Sequence, residues 1–300
     1  MTPAVRPPAL VRAMPAVFVL IWSTGFIVAR YGMPHSPPMK FLALRYAFSV
    51  LAFLAWAVLA GAAWPRDRRQ AGHLAVTGVL MHAGYLGGVW AAVKLGMGAG
   101  LAALLVSLQP VLTAVWVSLW GGKVTARQWG GLALGLGGLV LVVWQKLGLG
   151  EVHAQNLLYA FIALLSITAG TLYQKRFLGP CDVRTANLVQ LAAAFAVTLP
   201  LALLETEAIR LWQPDGRINL ELAGALAWSV LGLTLGGSSL LYLLIQKGAD
   251  TSVTSLMYLV PPTTALMAWL LFGEPITVLI VAGMALTALG VSLVVRQPRA

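Results

Sequence analysis

Residues 96–143 read GMGAGLAALLVSLQPVLTAVWVSLWGGKVTARQWGGLALGLGGLVLVV. Lys123 and Arg127 are the only charges in this stretch, and they stand together beside Gly121 and Gly122. The apolar run on either side is about 20 residues long, the length a helix needs to cross the hydrocarbon core of a bilayer. Neither run alternates polar with apolar, and each is twice a barrel strand's length, so the spans are helices. A helix also satisfies its own backbone hydrogen bonds in lipid.

The same pattern extends over the chain. Ten runs qualify, at residues 14–32, 40–60, 73–95, 97–120, 127–145, 154–174, 184–204, 221–246, 250–272 and 276–295. The sequence therefore predicts an all-α membrane protein of ten transmembrane helices with both termini on one side. Arg6 and Arg12 before the first run give it the look of a signal peptide, but its apolar stretch is long and no A-x-A-like site ends it. It is read as a retained first span.

Composition agrees. Of 300 residues, 59% are hydrophobic and 10% charged, with a net charge of +11. A soluble domain carries about 25% charged residues; so few charges exclude a soluble enzyme, a disordered regulator and a secreted disulfide scaffold. The single cysteine, Cys181, has no internal partner. The basic residues are scattered in ones to threes between apolar runs, so no nucleic-acid-binding face forms. They follow topology instead. With the N-terminus inside, cytoplasmic segments hold thirteen Lys and Arg and outer loops six, with Arg45 inside span 2. This is the positive-inside bias.

The chain repeats itself. Sliding residues 94–143 over 246–295 pairs Gly96 with Gly248, Leu104 with Leu256, Pro110 with Pro262, Gly121 with Gly273, Thr125 with Thr277, Gly131 with Gly283 and Gly138 with Gly290. An offset of 145 works earlier in the chain, where Gly25 meets Gly170, Arg30 meets Lys175 and Arg45 meets Gln190; the difference is taken up in the polar loop 205–220. The expected division is residues 1–148 and 149–300, five spans each. An odd number of spans inverts the second half, a device that recurs in secondary transporters with the substrate site between the halves. An old duplication in a protein that moves nothing is the competing reading.

The motifs also carry a family likeness. Ala-Leu-Leu-x-Ser-Leu-x-Pro (Ala103–Pro110), Gly-Gly-Lys-x-Thr (Gly121–Thr125) and the Gly131–Gly138 spacing, then Gly-Glu-Pro-Ile-Thr (Gly273–Thr277) in the second half, resemble the EamA-type carriers of the drug/metabolite transporter superfamily. Trp22-Ser23-Thr24-Gly25-Phe26 is similar to the family's opening helix. The resemblance covers essentially the whole chain. It implies a multi-pass protein of the bacterial inner membrane with both termini cytoplasmic. Within the family the chain is most similar to the YddG-type aromatic amino acid exporters. Gly122-Lys123 stands where the family pattern has Gly-Glu, so that acid is not a shared functional element.

A carrier needs a polar-lined cavity rather than a catalytic dyad. No paired carboxylates, metal-spaced His/Cys cluster or phosphate loop is present, so neither an enzyme nor an ATP-driven pump is expected, and no cofactor or metal is called for. Pro110, Pro261 and Pro262 fall inside spans 4 and 9, where a proline removes a backbone donor. Carbonyls of Val106, Met257 and Tyr258 should be freed, giving hinges or acceptors; a static kink is the alternative. Thr234, Ser238 and Tyr242 make a stripe in span 8, and a shift of 152 turns it into His82, Leu86 and Trp90 in span 3. Tyr85 lies one turn from His82. These faces either line a shared cavity or hydrogen-bond between packed helices. His82 is the ionisable group nearest a span centre and a candidate proton carrier. Arg45, nearer a span end, is read as snorkelling to the interface.

Gln109 and Trp116 share a face of span 4, Trp22 and Thr24 belong to span 1, and Tyr258 to span 9. Aromatic walls suit flat apolar solutes. The expected activity is export of aromatic and other bulky apolar amino acids by alternating access. No carboxylate lies mid-span, so downhill export suffices. Alternatives are a multidrug, organic-cation or other metabolite exporter, proton-coupled or not, and a non-transporting channel or scaffold. The expected partners are the small-molecule solute and the lipid bilayer; the oligomeric state is open, and a monomer is compatible with the sequence.

Overall fold

The computed structural model describes residues 9–119, 125–240 and 259–295. Every described element is helical apart from one isolated bridge, Trp212 to Ile218. The helices are α1 (Ala9–Gly32), α2 (Pro38–Leu59), α3 (Arg68–Lys94), α4 (Ala99–Val106 resuming at Gln109–Leu119), α5 (Ala126–Gly148), α6 (Ala154–Phe177), α7 (Val183–Leu204), α8 (Leu220–Leu240), α9 (Val260–Phe272) and α10 (Val278–Val295). Seven described helices are long and apolar enough to cross a membrane, and three shorter apolar ones accompany them.

Polar residues at the boundaries set where these helices begin. Asp67, Asp182 and Asn219 accept from the first-turn amides of α3, α7 and α8. Thr125 with Gln128, and His153 with Asn156, form reciprocal boxes at the starts of α5 and α6. Each satisfies amides that the helix itself cannot. Two starts are capped from a distance: Glu205 accepts from the amides of Met39 and Lys40 at 3.0 and 2.9 Å, and Glu274 from that of Ala99 at 2.9 Å. A carboxylate at a helix N-terminus also meets the positive end of its dipole.

These caps belong to a polar layer that closes one end of the molecule. Lys94 Nζ bonds Glu207 and the Met33 carbonyl, Lys40 Nζ bonds the Glu207 carbonyl, and His35 contacts Glu221 at 2.7 Å. Buried Lys146 pairs with Glu151 at 2.8 Å, and His153 reaches the Leu95 carbonyl. At the other end Thr185 bonds the Ala63 carbonyl, and Asp182 is held below the ordinary carboxylate range by its hydrogen bond with Arg184.

Packing relates the first five helices to the second five. α5 lies along α10, α2 along α7, and α4 against α9; α3 packs on α6 as α8 packs on α1, and α1 meets α9 as α6 meets α4. The α5–α10 contact is made of glycines. A Cβ built on Gly131 would stand 2.5 Å from the Gly290 carbonyl oxygen, and one on Gly283 would stand 2.6 Å from that of Gly138. Small residues let the two backbones touch, the usual basis of helix association in lipid. The core proper lies between α1, α2, α3, α4 and α6, around Phe26, Tyr46, Trp90, Leu101 and Leu104.

Two helices depart from α geometry at related places. Val79–Gly84 of α3 and Ser229–Gly237 of α8 are π-helical. Residues 79–84 shifted by 152 give 231–236, inside the second segment. α4 is interrupted instead: it stops at Val106, turns through Ser107 and Leu108, and restarts with Pro110 as the second residue.

Candidate functional site

π segments are short and tend to occur where function bends a helix. Both π segments here border one cavity. Its volume is about 130 Å³, with walls from α1 (Trp22, Gly25, Phe26), α2 (Arg45), α3 (Met81, His82, Tyr85, Leu86, Val89, Trp90), α6 (Ile167) and α8 (Leu233, Thr234, Ser238). The lining has the make-up of small-molecule sites, which are mainly apolar with a few convergent polar groups.

The backbone that π geometry exposes is used at once. Tyr46 donates its hydroxyl to the His82 carbonyl at 2.9 Å, and Thr234 donates to the Ser229 carbonyl five residues back at 2.7 Å. Trp90 closes the cavity toward the polar layer. Its ring is 1% exposed and stacks on Phe41 with centroids 4.4 Å apart. Trp22 packs against Phe18 at 5.3 Å.

Two side-chain contacts cross the cavity wall. Arg45 donates through Nε and Nη2 to Thr234 Oγ1 at 3.3 and 3.1 Å. The His82 side chain faces that of Gln190. The two pairs stand at repeat-related positions. Arg45 and Gln190 are counterparts at the offset of 145, and Thr234 and His82 at 152. One copy carries a guanidinium and the other an amide.

Trp22, His82, Tyr85, Trp90 and Ser238 are brought together in this cavity. Thr24 is not; its hydroxyl accepts from Trp228 Nε1 at 2.8 Å on another face of α1. Gln109 bonds Thr171 at 2.7 Å, tying α4 to α6, and Trp116 lies at the surface. Tyr242 and Tyr258 lie outside the described residues, as do Met257 and the first part of span 9. Pro261 and Pro262 stand in the first turn of α9 as described, where a proline is tolerated.

Arg45 corrects the sequence reading: it does not snorkel. It is 8% exposed and turned into the cavity against Thr234. Its register with Gln190 was the available signal. Thr234 belonged to the polar stripe of span 8, but its contact with a charged residue of span 2 is tertiary and has no local signature.

Pro110 follows a real break in α4, since Ser107 and Leu108 form a turn and Leu108 bonds back only three residues, to Leu105. If that turn flexes during transport, Pro110→Ala should slow exchange several-fold with the folded amount unchanged. An unaltered rate at equal protein would make the break static.

Comparison with known proteins agrees with this architecture. The chain matches the EamA-like transporter family twice, at residues 13–144 and 155–296. It is 24% identical to a probable amino-acid metabolite efflux pump of Salmonella typhimurium, over 91% of this chain and 90% of that one. It is 25% identical to the uncharacterized inner membrane transporter YedA of Escherichia coli, covering 87% and 83%, and 24% identical to the uncharacterized transporter YvbV of Bacillus subtilis, covering 95% and 91%. A protein of known crystal structure shares the fold with a TM-score of 0.62 at 16% identity, across 96% of this chain and 97% of the other. Two family matches that together span nearly the whole chain, on a bundle of apolar helices around one cavity, establish that the chain belongs to the EamA-like transporter family of the drug/metabolite transporter superfamily and is a membrane transporter.

Proposed function

We propose that this transporter exports aromatic and other bulky apolar amino acids across the bacterial inner membrane, in the manner of the YddG-type exporters. It does so as a ten-span carrier of two inverted five-helix halves, residues 1–148 and 149–300, with both termini cytoplasmic. The halves alternate access to the cavity between α1, α3, α6 and α8. The carrying observation is the wall of that cavity: Trp22, Phe26, Tyr85 and Trp90 supply ring faces, and His82, Thr234 and Ser238 supply hydrogen-bonding groups. Rings take a flat apolar body, and the polar groups replace part of the water around its head. The relative named an amino-acid metabolite efflux pump supports the same solute class.

Alternation draws support from packing pairs that recur when the two sets of five helices are exchanged. A substrate that accumulates inside needs no coupling ion to leave. No carboxylate lines the cavity among the described residues, which supports facilitated export over a carboxylate proton relay.

Counterflow tests the proposal. Liposomes holding the purified protein are loaded with unlabelled tryptophan, phenylalanine, methionine or threonine, and labelled solute is added outside without an ion gradient. Saturable accumulation with tryptophan, phenylalanine and methionine, and little with threonine, is expected. Absence of exchange even under an imposed pH gradient would discard the amino acid assignment. Exchange appearing only with that gradient would replace facilitated export by proton coupling.

A further inference from the structure

Among the described residues, Arg45 is the one charged side chain on the cavity wall apart from titratable His82. Burying a guanidinium is costly unless its charge is met. Among the described residues no carboxylate pairs with it; its titratable neighbours are Tyr46, Tyr85 and His82, and its side chain donates to one hydroxyl, Thr234 Oγ1. A guanidinium carries five N–H donors in a planar fork, so Thr234 engages only part of its capacity. Charged groups at membrane depth that face a cavity mark a solute path. The planar fork fits a carboxylate with two parallel hydrogen bonds, and it repels a cation.

We propose that Arg45 anchors the carboxylate of the transported solute, so that the cavity accepts aromatic and apolar carboxylic acids and rejects the corresponding amines. This rests on the carrier reading above and narrows its substrate class. Thr234 is the positioning residue. Its hydroxyl is fixed by donation to the Ser229 carbonyl, and its oxygen holds Nε and Nη2. The counterpart positions explain why the anchor acts on one side only. Gln190 and His82 occupy the related positions with an amide and an imidazole, so the first half holds the cation and the solute enters with one polarity. With its head at Arg45, the body of the solute lies along Trp22, Tyr85 and Trp90, which line the same space. No acidic group lines the cavity among the described residues, so the carboxylate, and not an ammonium, is the charge the site answers.

The test compares three indoles in proteoliposomes: tryptophan, indole-3-propionate, which lacks the amine, and tryptamine, which lacks the carboxylate. Each is used labelled for counterflow and unlabelled as a competitor. Tryptophan and indole-3-propionate should exchange and compete with each other, and tryptamine should do neither. Arg45→Gln should lower exchange of both acids about thirtyfold or more, the loss expected when one partner of a buried charge pair is removed, and Arg45→Lys should restore part of it. Thr234→Val should raise the half-saturating concentration more than it lowers the maximal rate. Tryptophan exchange with equal competition by tryptamine, or exchange unchanged in a folded Arg45→Gln protein, would overturn the anchor and leave the amino acid carrier standing. Arg45-dependent exchange of indole-3-propionate without tryptophan would keep the anchor and overturn the amino acid reading. Transport of tryptamine alone would overturn both. If Arg45→Gln does not fold, the three solutes in the unaltered protein decide by themselves.

Discussion

Gly138→Leu should abolish accumulation of folded protein, and Gly138→Ala should lower its thermal stability clearly. A Cβ at Gly138 would stand 2.6 Å from Thr287 Oγ1 and 2.7 Å from the Thr287 amide, with the Gly283 carbonyl oxygen closer still. Two of these three atoms are backbone, so no side-chain rotation relieves the clash. The helices must separate, and Gly131 against Gly290 would lose contact with them. Overpacking of this kind costs about 1–3 kcal/mol for one added carbon, and leucine adds four. Gly137 is the control, because a Cβ there meets nothing within 4 Å. Size-exclusion profiles after a temperature ramp give the readout. Equal losses at Gly137→Ala and Gly138→Ala would mean that the glycine contact between α5 and α10 is not the cause.

Trp90 should give the second large effect, in two parts. The indole is closed off from solvent and stacked on Phe41 at 28° between planes, with Gly32 admitting the Phe41 ring so closely that a Cβ would stand 3.1 Å from it. Truncation to alanine removes that filling and should cost about 3–5 kcal/mol, seen as a large drop in midpoint temperature. Trp90→Phe keeps a ring on Phe41 and should fold. It leaves the cavity deeper at that end, so exchange of tryptophan should gain relative to methionine. Unchanged relative rates in a folded Trp90→Phe protein would make Trp90 a packing residue alone.

The helices could be read from sequence because their signal is local. Apolar runs bounded by Asp67, Thr125, His153, Asp182 and Asn219 coincide with helix starts that these side chains cap. The glycines aligned by the offset of 152 meet physically, Gly131 with Gly290 and Gly138 with Gly283. The cavity was legible where a four-residue stripe along one element keeps to one wall despite a π turn, as for His82, Leu86 and Trp90 on α3 and for Thr234 and Ser238 on α8. It was less so where a facing had to be assumed. Trp22 and Thr24 are two residues apart, which on a helix sends them to different sides; Trp22 reaches the cavity and Thr24 the Trp228 indole. Gln109 and Trp116 follow the break at Ser107, so nothing upstream fixed their direction. Arg45 was misjudged because snorkelling is a property of an isolated helix. Here α8 packs across α2 and brings the Thr234 hydroxyl to the guanidinium.

The two π segments give α3 and α8 a mechanical property that their neighbours lack. A π turn stores slack, about one residue more than α geometry would place along the same axis. Taking that residue into regular winding would lengthen the helix by about 1.5 Å and twist everything beyond it by about 100°, with no covalent bond strained. In α3 the part beyond Gly84 bears Tyr85 and Trp90, and in α8 the part beyond Gly237 bears Ser238. The stored turns sit at repeat-related positions on two cavity-lining helices. The chain thus holds two matched screws, whose winding would swing the ring faces and the hydroxyl around the solute while the glycine-locked pair α5–α10 keeps its length.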